Sequence, residues 1–226
     1  MRILCHAVFI LCSAFGSAQD VVKVSCRFLG LNSDSPPPPL LNIADKEIDI
    51  PCVITTGTLS PATTCLAREH TMTFVSATDR QPAAIATLPA NVKAAILVFV
   101  AAPEKPNTLP WRVFVIEDSP KNLPDGGAFV ANFHNQDIRF VIGEHKILLH
   151  SASFHGFSIP VKRDAFNMAP VAFEFLQKDQ WRTASESLLR FVPGMRYLIF
   201  AYRDPASGRP RIATYQDLKP FATPPP

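Results

Sequence analysis

Two distant segments of the chain repeat one order of parts: an apolar run, a turn with proline or glycine, and a second apolar run. They are "TLPANVKAAILVFVAAPEKPNTLPWRVFVIED" at residues 87–118 and "FVPGMRYLIFAYRDPASGRPRIATYQD" at residues 191–217. Further pairs keep the same order, since "TMTFVSATDRQP" matches "VAFEFLQKDQW" and "KEIDIPCVI" matches "QDIRFVIGE". Two apolar runs joined by a short turn are typical of an antiparallel hairpin. The sequence therefore predicts duplication of a small antiparallel β unit.

The apolar runs are short and closely spaced, as in a β-sandwich. "VVKVSCRFLG" has the alternation of a half-buried strand, and its inward positions are Val22, Val24, Cys26 and Phe28. In "KEIDIPCVI" the inward positions are Ile48, Ile50, Cys52 and Ile54. "RTASESLLRF" allows a short helix, but its place matches that of "RQPAAIATLP", so we predict a strand. The predicted fold class is all-β, with two repeated antiparallel immunoglobulin-like β-sandwich lobes.

Segments that contain proline and glycine set the predicted domain boundaries. "EDSPKNLPDGG" is the best linker, because two prolines and a Gly-Gly pair interrupt a polar run. We expect a first β-sandwich repeat at residues 19–118, a linker at 119–126, a second repeat at 127–218 and a disordered tail at 219–226. Each repeat alone has little chain for a core, so we expect the two to bury a mutual interface.

The first eighteen residues have the pattern of a secretory signal peptide. Arg2 is the positive start, "ILCHAVFIL" is the apolar region, and "GSA" ends at Ala18, which predicts cleavage before Gln19. A lipid anchor at Cys12 is the alternative. No later apolar stretch is long enough for a transmembrane helix. We therefore expect an exported protein, periplasmic or at the cell surface, without a transmembrane segment in its mature chain.

Removal of that leader leaves three cysteines, an odd number for an oxidising compartment. Cys52 and Cys65 flank the turn-rich stretch "VITTGTLSPATT", so they are the favoured disulfide pair. Cys26 with Cys52 is the alternative, because the strand patterns place both on inward faces. The third thiol is expected to be a small buried side chain.

Neither charge nor motifs point to a reaction. A net charge of +3 is too small for a nucleic-acid footprint. The chain has no G-x-S-x-G elbow, no H-E-x-x-H and no glycine-rich phosphate loop. A metal site among His134, His145, His150 and His155 and a calcium site at Asp45, Glu47 and Asp49 are weaker interpretations than surface side chains. We predict no cofactor, no metal and no catalytic residue.

Aromatic and basic residues are the candidates for recognition. Exposed aromatic rings stack on sugars or anchor protein interfaces, although core packing explains many of them. Arginines around the last hairpin give the second half its positive character. The binding candidates are Trp111, Trp181, Tyr202, Arg196, Arg203, Arg209 and Arg211.

The second half resembles exported bacterial envelope proteins built from small immunoglobulin-like sandwich domains. The resemblance rests on "FVANF", "DIRFVIGEHKILL" and "LLRFVPGMRYLIFAYRDPASGRPRIATYQD", where a Pro-Gly turn precedes an aromatic-rich strand. These motifs are structural and imply no site residue. The resemblance implies a non-catalytic structural or interaction module of the cell envelope, with an envelope protein or a surface polysaccharide as partner. The alternatives are a carbohydrate-binding module that uses exposed aromatics and a secreted enzyme with an unrecognised site.

Overall fold

A computed structural model describes residues 21–31, 37–45, 48–103, 105–204 and 207–218, so the predicted leader and tail lie outside it. All regular elements in these ranges are β-strands, and the predicted all-β class is confirmed. No helix within them is long and apolar enough to cross a bilayer. The strands are β1 (Val21–Leu31), β2 (Leu40–Asp45), β3 (Ile48–Cys52), β4 (Thr63–Arg68), β5 (Thr71–Ser76), β6 (Pro82–Thr87), β7 (Ala94–Ala101), β8 (Trp111–Glu117), β9 (Ala128–Asn132), β10 (Ile138–Ile142), β11 (His145–Leu149), β12 (Phe154–Phe157), β13 (Met168–Gln177), β14 (Gln180–Arg190), β15 (Met195–Arg203) and β16 (Pro210–Leu218).

The first eight strands form one sheet that folds back on itself. Its order is β3-β2-β5-β4-β1-β7-β8, and β6 pairs with β5. β4 and β5 are paired at Arg68 and Thr71, at the tight turn between them, and the sheet bends at this corner. The bend makes two wings, β4-β1-β7-β8 and β3-β2-β5-β6, which face each other across a shared core.

The last eight strands form two four-stranded sheets, β12-β9-β15-β16 and β11-β10-β13-β14. Their pairing follows that of the two wings. β1 pairs antiparallel with β4 and parallel with β7, and β9 pairs antiparallel with β12 and parallel with β15. By position β10 corresponds to β2 and not to β3, so the expected match of "KEIDIPCVI" with "QDIRFVIGE" is displaced by one strand. That the two sets arose by duplication stays a prediction.

Three apolar cores separate four layers of strands. The first core lies between the two wings, and the second core lies between the two sheets of the second half. A third, which we call the seam core, lies between the wing β4-β1-β7-β8 and the sheet β12-β9-β15-β16. Its buried residues are Leu29, Leu31, Ile96, Val98, Ile116, Leu123, Phe129, Ala131, Leu198 and Phe200.

The seam core explains the most apolar segments of the sequence. In β7, Leu97 and Phe99 face the first core, whereas Ile96 and Val98 face the seam core. β15 divides its residues in the same way between the second core and the seam core. A strand with both faces buried loses the polar half of its alternation. "AILVFV" and "YLIFAY" are therefore central strands of inner layers.

Several local expectations differ from the structure. No strand was predicted at β2, β4 or β12. Val22 and Ile48, expected inward, have about half of their side-chain surface exposed, at 49% and 48%. Val22 is the second residue of β1 and Ile48 the first residue of β3, so both lie at the start of a strand. "RTASESLLRF" is a strand, as expected.

The connection at residues 119–126 is packed against the sheets. Leu123 is buried in the seam core, and its carbonyl accepts a hydrogen bond from Arg196 at 3.4 Å. The carbonyl oxygen of Asn122 approaches Gly156 of β12 so closely that a Cβ there would lie 2.4 Å from it. Glycine is therefore required at position 156 by close backbone approach.

Replacement of Gly156 tests this close approach. Gly156→Ala is expected to destabilise the protein by about 2 kcal/mol, because the backbone of the connection must move. The measurement is the free energy of unfolding in urea. The matched control is Gly57→Ala, where an added Cβ meets nothing within 4 Å. Equal stability of the two variants would contradict the packed connection.

Candidate binding site at the seam

One end of the seam is closed by a ring of four charged side chains, two buried and two partly buried, which we call the clamp. Arg27 of β1 binds Asp217 of β16 through two hydrogen bonds of 2.6 and 2.9 Å, and binds Asp118 at 3.0 Å. Arg196 of β15 also binds both aspartates, with 2.9 Å to Asp118 and 3.0 Å between its Nε and Asp217. Each aspartate thus contacts both arginines. Because Arg27 and Asp118 come from the first half, the clamp joins the two halves.

Burial and ion pairing have opposite effects on the pKa values of the clamp residues Asp217 and Arg27. Burial disfavours the charged form of Asp217, but hydrogen bonds and charge from Arg27 and Arg196 outweigh it, so the pKa of Asp217 lies below its ordinary value. For Arg27, burial likewise opposes the charge, and both aspartates outweigh it and raise its pKa. Asp217 and Arg27 are therefore both ionised at neutral pH, and their opposite charges stabilise each other.

The other end of the seam carries a cluster of aromatic rings. Phe114 of β8 contacts Phe133 edge to face with 4.9 Å between ring centroids, and Phe133 stacks on Phe200 at 5.5 Å. Phe154 stacks on Phe129 at 5.3 Å and is half exposed. Phe114 comes from the first half and the other four rings from the second. The cluster continues the seam core outward to the surface.

A cleft opens beside these rings, and we call it the seam cleft. It has a volume of about 410 Å³. Strands β7 and β8 form one wall, and the segments after β9 and between β11 and β12 form the other. The lining residues are Val100, Arg112, Val113, Phe114, Asn132, Phe133, His134, Asn135, Ser151 and Ala152.

Arg112 supplies the positive charge of the seam cleft. Alternation along β8 places it on the same face as Phe114 and Ile116, which contact the seam core. Its side chain is exposed, and it has no ion-pair or hydrogen-bond partner among the described residues. An unpaired guanidinium beside aromatic walls favours an anionic group next to an apolar one.

The wall opposite Arg112 is rigid and uncharged. Asn132 is fully buried, donates to the carbonyls of Gln136 and Leu149, and accepts from the amide of His134. Burial lowers the pKa of His134, whose Nδ1 accepts a hydrogen bond from the amide of Gln136 at 3.2 Å. His134 is therefore neutral at pH 7.

A second cavity lies on the outer face of the sheet β11-β10-β13-β14. Its volume is about 500 Å³, and its polar lining comprises Arg139, Lys146, Glu174, Thr183 and Glu186. The guanidinium of Arg139 lies 4.3 Å from the ring centre of the half-buried Trp181 and pairs with Glu174 at 2.7 Å. We call this surface the outer groove.

The aromatic candidates from the sequence occupy separate places. Trp111 packs partly against the first core and lines a third groove, together with Ile85 of β6 and Leu109. Trp181 stacks on Arg139, which lines the outer groove. Tyr202 is half-buried near the end of β15, where burial raises its pKa. The structure brings none of the three together.

The four candidate arginines also separate. Arg196 is buried in the clamp, not exposed beside the last hairpin as its place in the sequence suggested. Arg203, Arg209 and Arg211 do lie at the β15–β16 turn and are exposed. Arg203 donates to the carbonyl of Gly208 at 2.9 Å, and Arg211 pairs with Asp204 at 3.3 Å. These contacts hold the turn together.

The remaining candidates concern cysteines and metals. Cys26, Cys52 and Cys65 are buried free thiols of the first core. Within the ranges given above, no group of three His, Cys, Asp or Glu side chains is arranged to hold a metal ion. Of the carboxylates considered for calcium, Asp49 pairs with Arg80, and Glu47 lies outside the described residues.

Sequence reasoning missed the residues that line the seam cleft. The alternation of "WRVFVIE" puts Arg112, Phe114 and Ile116 on one face. "FVANF" does the same with Phe129 and Phe133. These faces were identifiable as apolar, but which layers they contact depends on long-range packing. The cleft was therefore not predictable from either segment alone.

No protein-family profile matches this chain, and no curated protein matches it significantly.

The clamp predicts a pH-dependent stability difference. Asp217→Asn removes one of the two carboxylates that Arg27 and the buried Arg196 share, and is expected to cost about 3 kcal/mol of unfolding free energy at pH 7. Since the folded pKa of Asp217 lies below its unfolded value, the stabilisation is present above the unfolded pKa of about 3.9 and is lost as pH falls through the folded pKa. The difference in unfolding free energy between the unmodified protein and Asp217→Asn, measured in urea, should therefore become smaller at acidic pH.

The control for this experiment is Asp49→Asn, which breaks the exposed pair of Asp49 with Arg80. Exposed pairs are screened by water, so no measurable change is expected. If the difference in unfolding free energy between the unmodified protein and Asp217→Asn stays constant down to pH 2, Asp217 is not an ionised carboxylate in the clamp.

Proposed function

We propose that the protein is an exported, non-catalytic interaction module of the cell envelope that binds a protein partner in the seam cleft. The observation that carries the proposal is the cleft itself, which is walled by apolar side chains from both halves of the chain. Its volume falls within the range of about 300 to 1,000 Å³ that is usual for small-molecule pockets, which is room for a few side chains of a partner. Export is supported by the leader pattern of the first eighteen residues.

The chemistry of the seam cleft defines the partner. Phe114 and Phe133 offer ring faces and edges for an apolar side chain. Arg112 stands at the same wall as a cation that pairs with none of the described side chains. A protein segment with an apolar side chain next to a carboxylate complements both features. Aromatic and arginine side chains are also the residue types that dominate binding energy at protein interfaces.

A photo-cross-linking residue placed at the cleft tests the partner and the site together. The full-length chain is expressed in an exporting host with p-benzoylphenylalanine at Asn135, which is exposed and lines the cleft. Irradiation is expected to give one covalent protein adduct that mass spectrometry can identify. Gln136 is the matched control, since it is also exposed and does not line the cleft. Adducts of equal yield at both positions, or none at Asn135, would contradict the proposal.

The identified partner then tests the role of Arg112. Arg112→Gln is expected to weaken binding by about tenfold or more, since a charge-assisted hydrogen bond is worth about 1.5 to 3 kcal/mol. Arg112→Lys keeps the charge and should lose less. Titration calorimetry measures both. Unchanged affinity of Arg112→Gln would remove the carboxylate from the description of the partner and leave the cleft as the site.

A second candidate function is carbohydrate binding at the outer groove. The observation that favours it is the row of charged and hydroxyl side chains beside the half-buried ring of Trp181. Such side chains hydrogen-bond sugar hydroxyls, and an aromatic ring stacks on a sugar face. The stacking of Arg139 on Trp181 fixes the ring orientation. The groove and the seam cleft are separate surfaces, so the two functions can be tested separately.

Affinity electrophoresis on soluble cell-wall polysaccharides tests this second function. If sugar binds at the outer groove, polysaccharide retards the protein, and Trp181→Ala removes most of the retardation. Phe166→Ala is the control, because Phe166 is an exposed aromatic on the β12–β13 loop. The same retardation in the unmodified protein and in Trp181→Ala would exclude the outer groove as a sugar site.

A further inference from the structure

We propose that Cys52 and Cys65 form a disulfide when the chain folds in the presence of a disulfide oxidant, and that Cys26 stays a thiol. This inference concerns the first core and does not depend on the seam cleft. All three cysteines are buried there, with at most 1% of their surface exposed. The sulfur atoms of Cys52 and Cys65 are 4.0 Å apart. A disulfide joins sulfurs at about 2.04 Å, so they must approach by about 2 Å.

The backbone around this pair is already held close. Cys52 ends β3 and is paired with Leu40 of β2. Asn42 of β2 accepts a hydrogen bond from the amide of Leu66 at 2.8 Å and donates to its carbonyl at 3.2 Å. Since Leu66 directly follows Cys65, β2 ties the strand that carries Cys52 to the strand that carries Cys65. Side-chain rotation and a small shift at the end of β3 are then sufficient to join the sulfurs.

The strand register disfavours Cys26 as a partner of Cys65. In the β1–β4 pair, Cys26 is opposite Thr63 and Val24 is opposite Cys65, so the two cysteines are diagonal neighbours. Diagonal neighbours on antiparallel strands are separated by about 7 Å, whereas a disulfide needs Cβ atoms about 3.8 Å apart. The thiol of Cys26 contacts the side chain of Cys65 and also the sulfur of Met72, the latter at 3.9 Å.

The bond forms by two successive thiol–disulfide exchanges with a small-molecule or protein disulfide. One cysteine thiolate attacks the oxidant, forms a mixed disulfide and releases one oxidant thiolate. The second cysteine thiolate attacks the protein sulfur of the mixed disulfide, closes the Cys52–Cys65 bond and releases the other oxidant thiolate. The two protein thiols lose two protons and two electrons, and the oxidant disulfide is reduced to two thiols.

Because the thiols are buried in the folded protein, the disulfide is expected to form during folding. Contact with Cys65, followed by burial, raises the pKa of the Cys52 thiol; contact with Cys26, together with burial, raises that of Cys65. The thiolate is the attacking species, so the folded reduced protein reacts slowly. Oxidation must therefore occur before the two wings close over the first core.

Refolding in a glutathione redox buffer tests the proposal. The full-length chain with Cys5→Ser and Cys12→Ser is reduced, unfolded in guanidinium and refolded with mixed oxidised and reduced glutathione. It is then unfolded again, alkylated and mapped by non-reducing mass spectrometry. We expect a linked peptide pair containing Cys52 and Cys65, alkylated Cys26, and a melting temperature several degrees above that of the reduced form.

One further cysteine substitution at a time shows which two cysteines are linked. Adding Cys26→Ser should leave the linked pair intact, whereas adding Cys52→Ser should leave every remaining cysteine alkylated. Already folded reduced protein, placed in the same buffer, should retain all three thiols for far longer than the refolding time. Three alkylated cysteines in folded protein after oxidative refolding, or a linked pair that contains Cys26, would overturn the proposal.

Discussion

The seam core is the constraint on which the rest of the structure depends. The wing β4-β1-β7-β8 and the sheet β12-β9-β15-β16 both have apolar residues on their two faces, so each must be covered on both sides. Each covers the other at the seam. Separation of the halves would expose Phe129, Leu198 and Phe200 to water, a loss of about 1.5 to 3 kcal/mol for each large side chain. The central strands therefore specify one four-layer molecule.

The clamp fixes the relative position of the two layers that meet at the seam core. Hydrophobic burial is non-directional and on its own sets no register between two flat layers. The clamp does, because Arg27 and Arg196 must each reach both Asp118 and Asp217. Strand β8 has Arg112 near its start and Asp118 just beyond its end. A register fixed at Asp118 also fixes where Phe114 stands against the rings of the second half. The buried charges thereby position the cleft at the opposite end of the seam.

Alternating and continuous apolar runs predicted most strands, including β7 and β15 with two buried faces, and missed three strands that have neither signal. β2 follows a proline run, β4 begins with polar threonines, and "FHGF" of β12 contains a histidine and a glycine, so none has a clear period. The exposure of Arg196 was misjudged, although its alternation with Leu198 and Phe200 places it on the seam face. A buried arginine is recognisable only with its two aspartates, which lie far away in the sequence. Long-range pairing, not local pattern, decides such positions.

The corresponding strands β8 and β16 have a similar sequence pattern, but only β8 contributes to the seam cleft. "RVFVIED" and "RIATYQD" both begin with arginine and end with aspartate, and both aspartates join the clamp. Their arginines differ, since Arg211 pairs with Asp204 of the adjacent turn, whereas Arg112 has no partner among the described residues. The neighbouring β7–β8 turn, "APEKPNTLP", places Lys105 in the groove beside Arg112. Among the described residues, the β15–β16 hairpin thus pairs its arginine within its own turn, whereas Arg112 of the β7–β8 hairpin stands at the seam cleft, where the proposed partner would place its carboxylate.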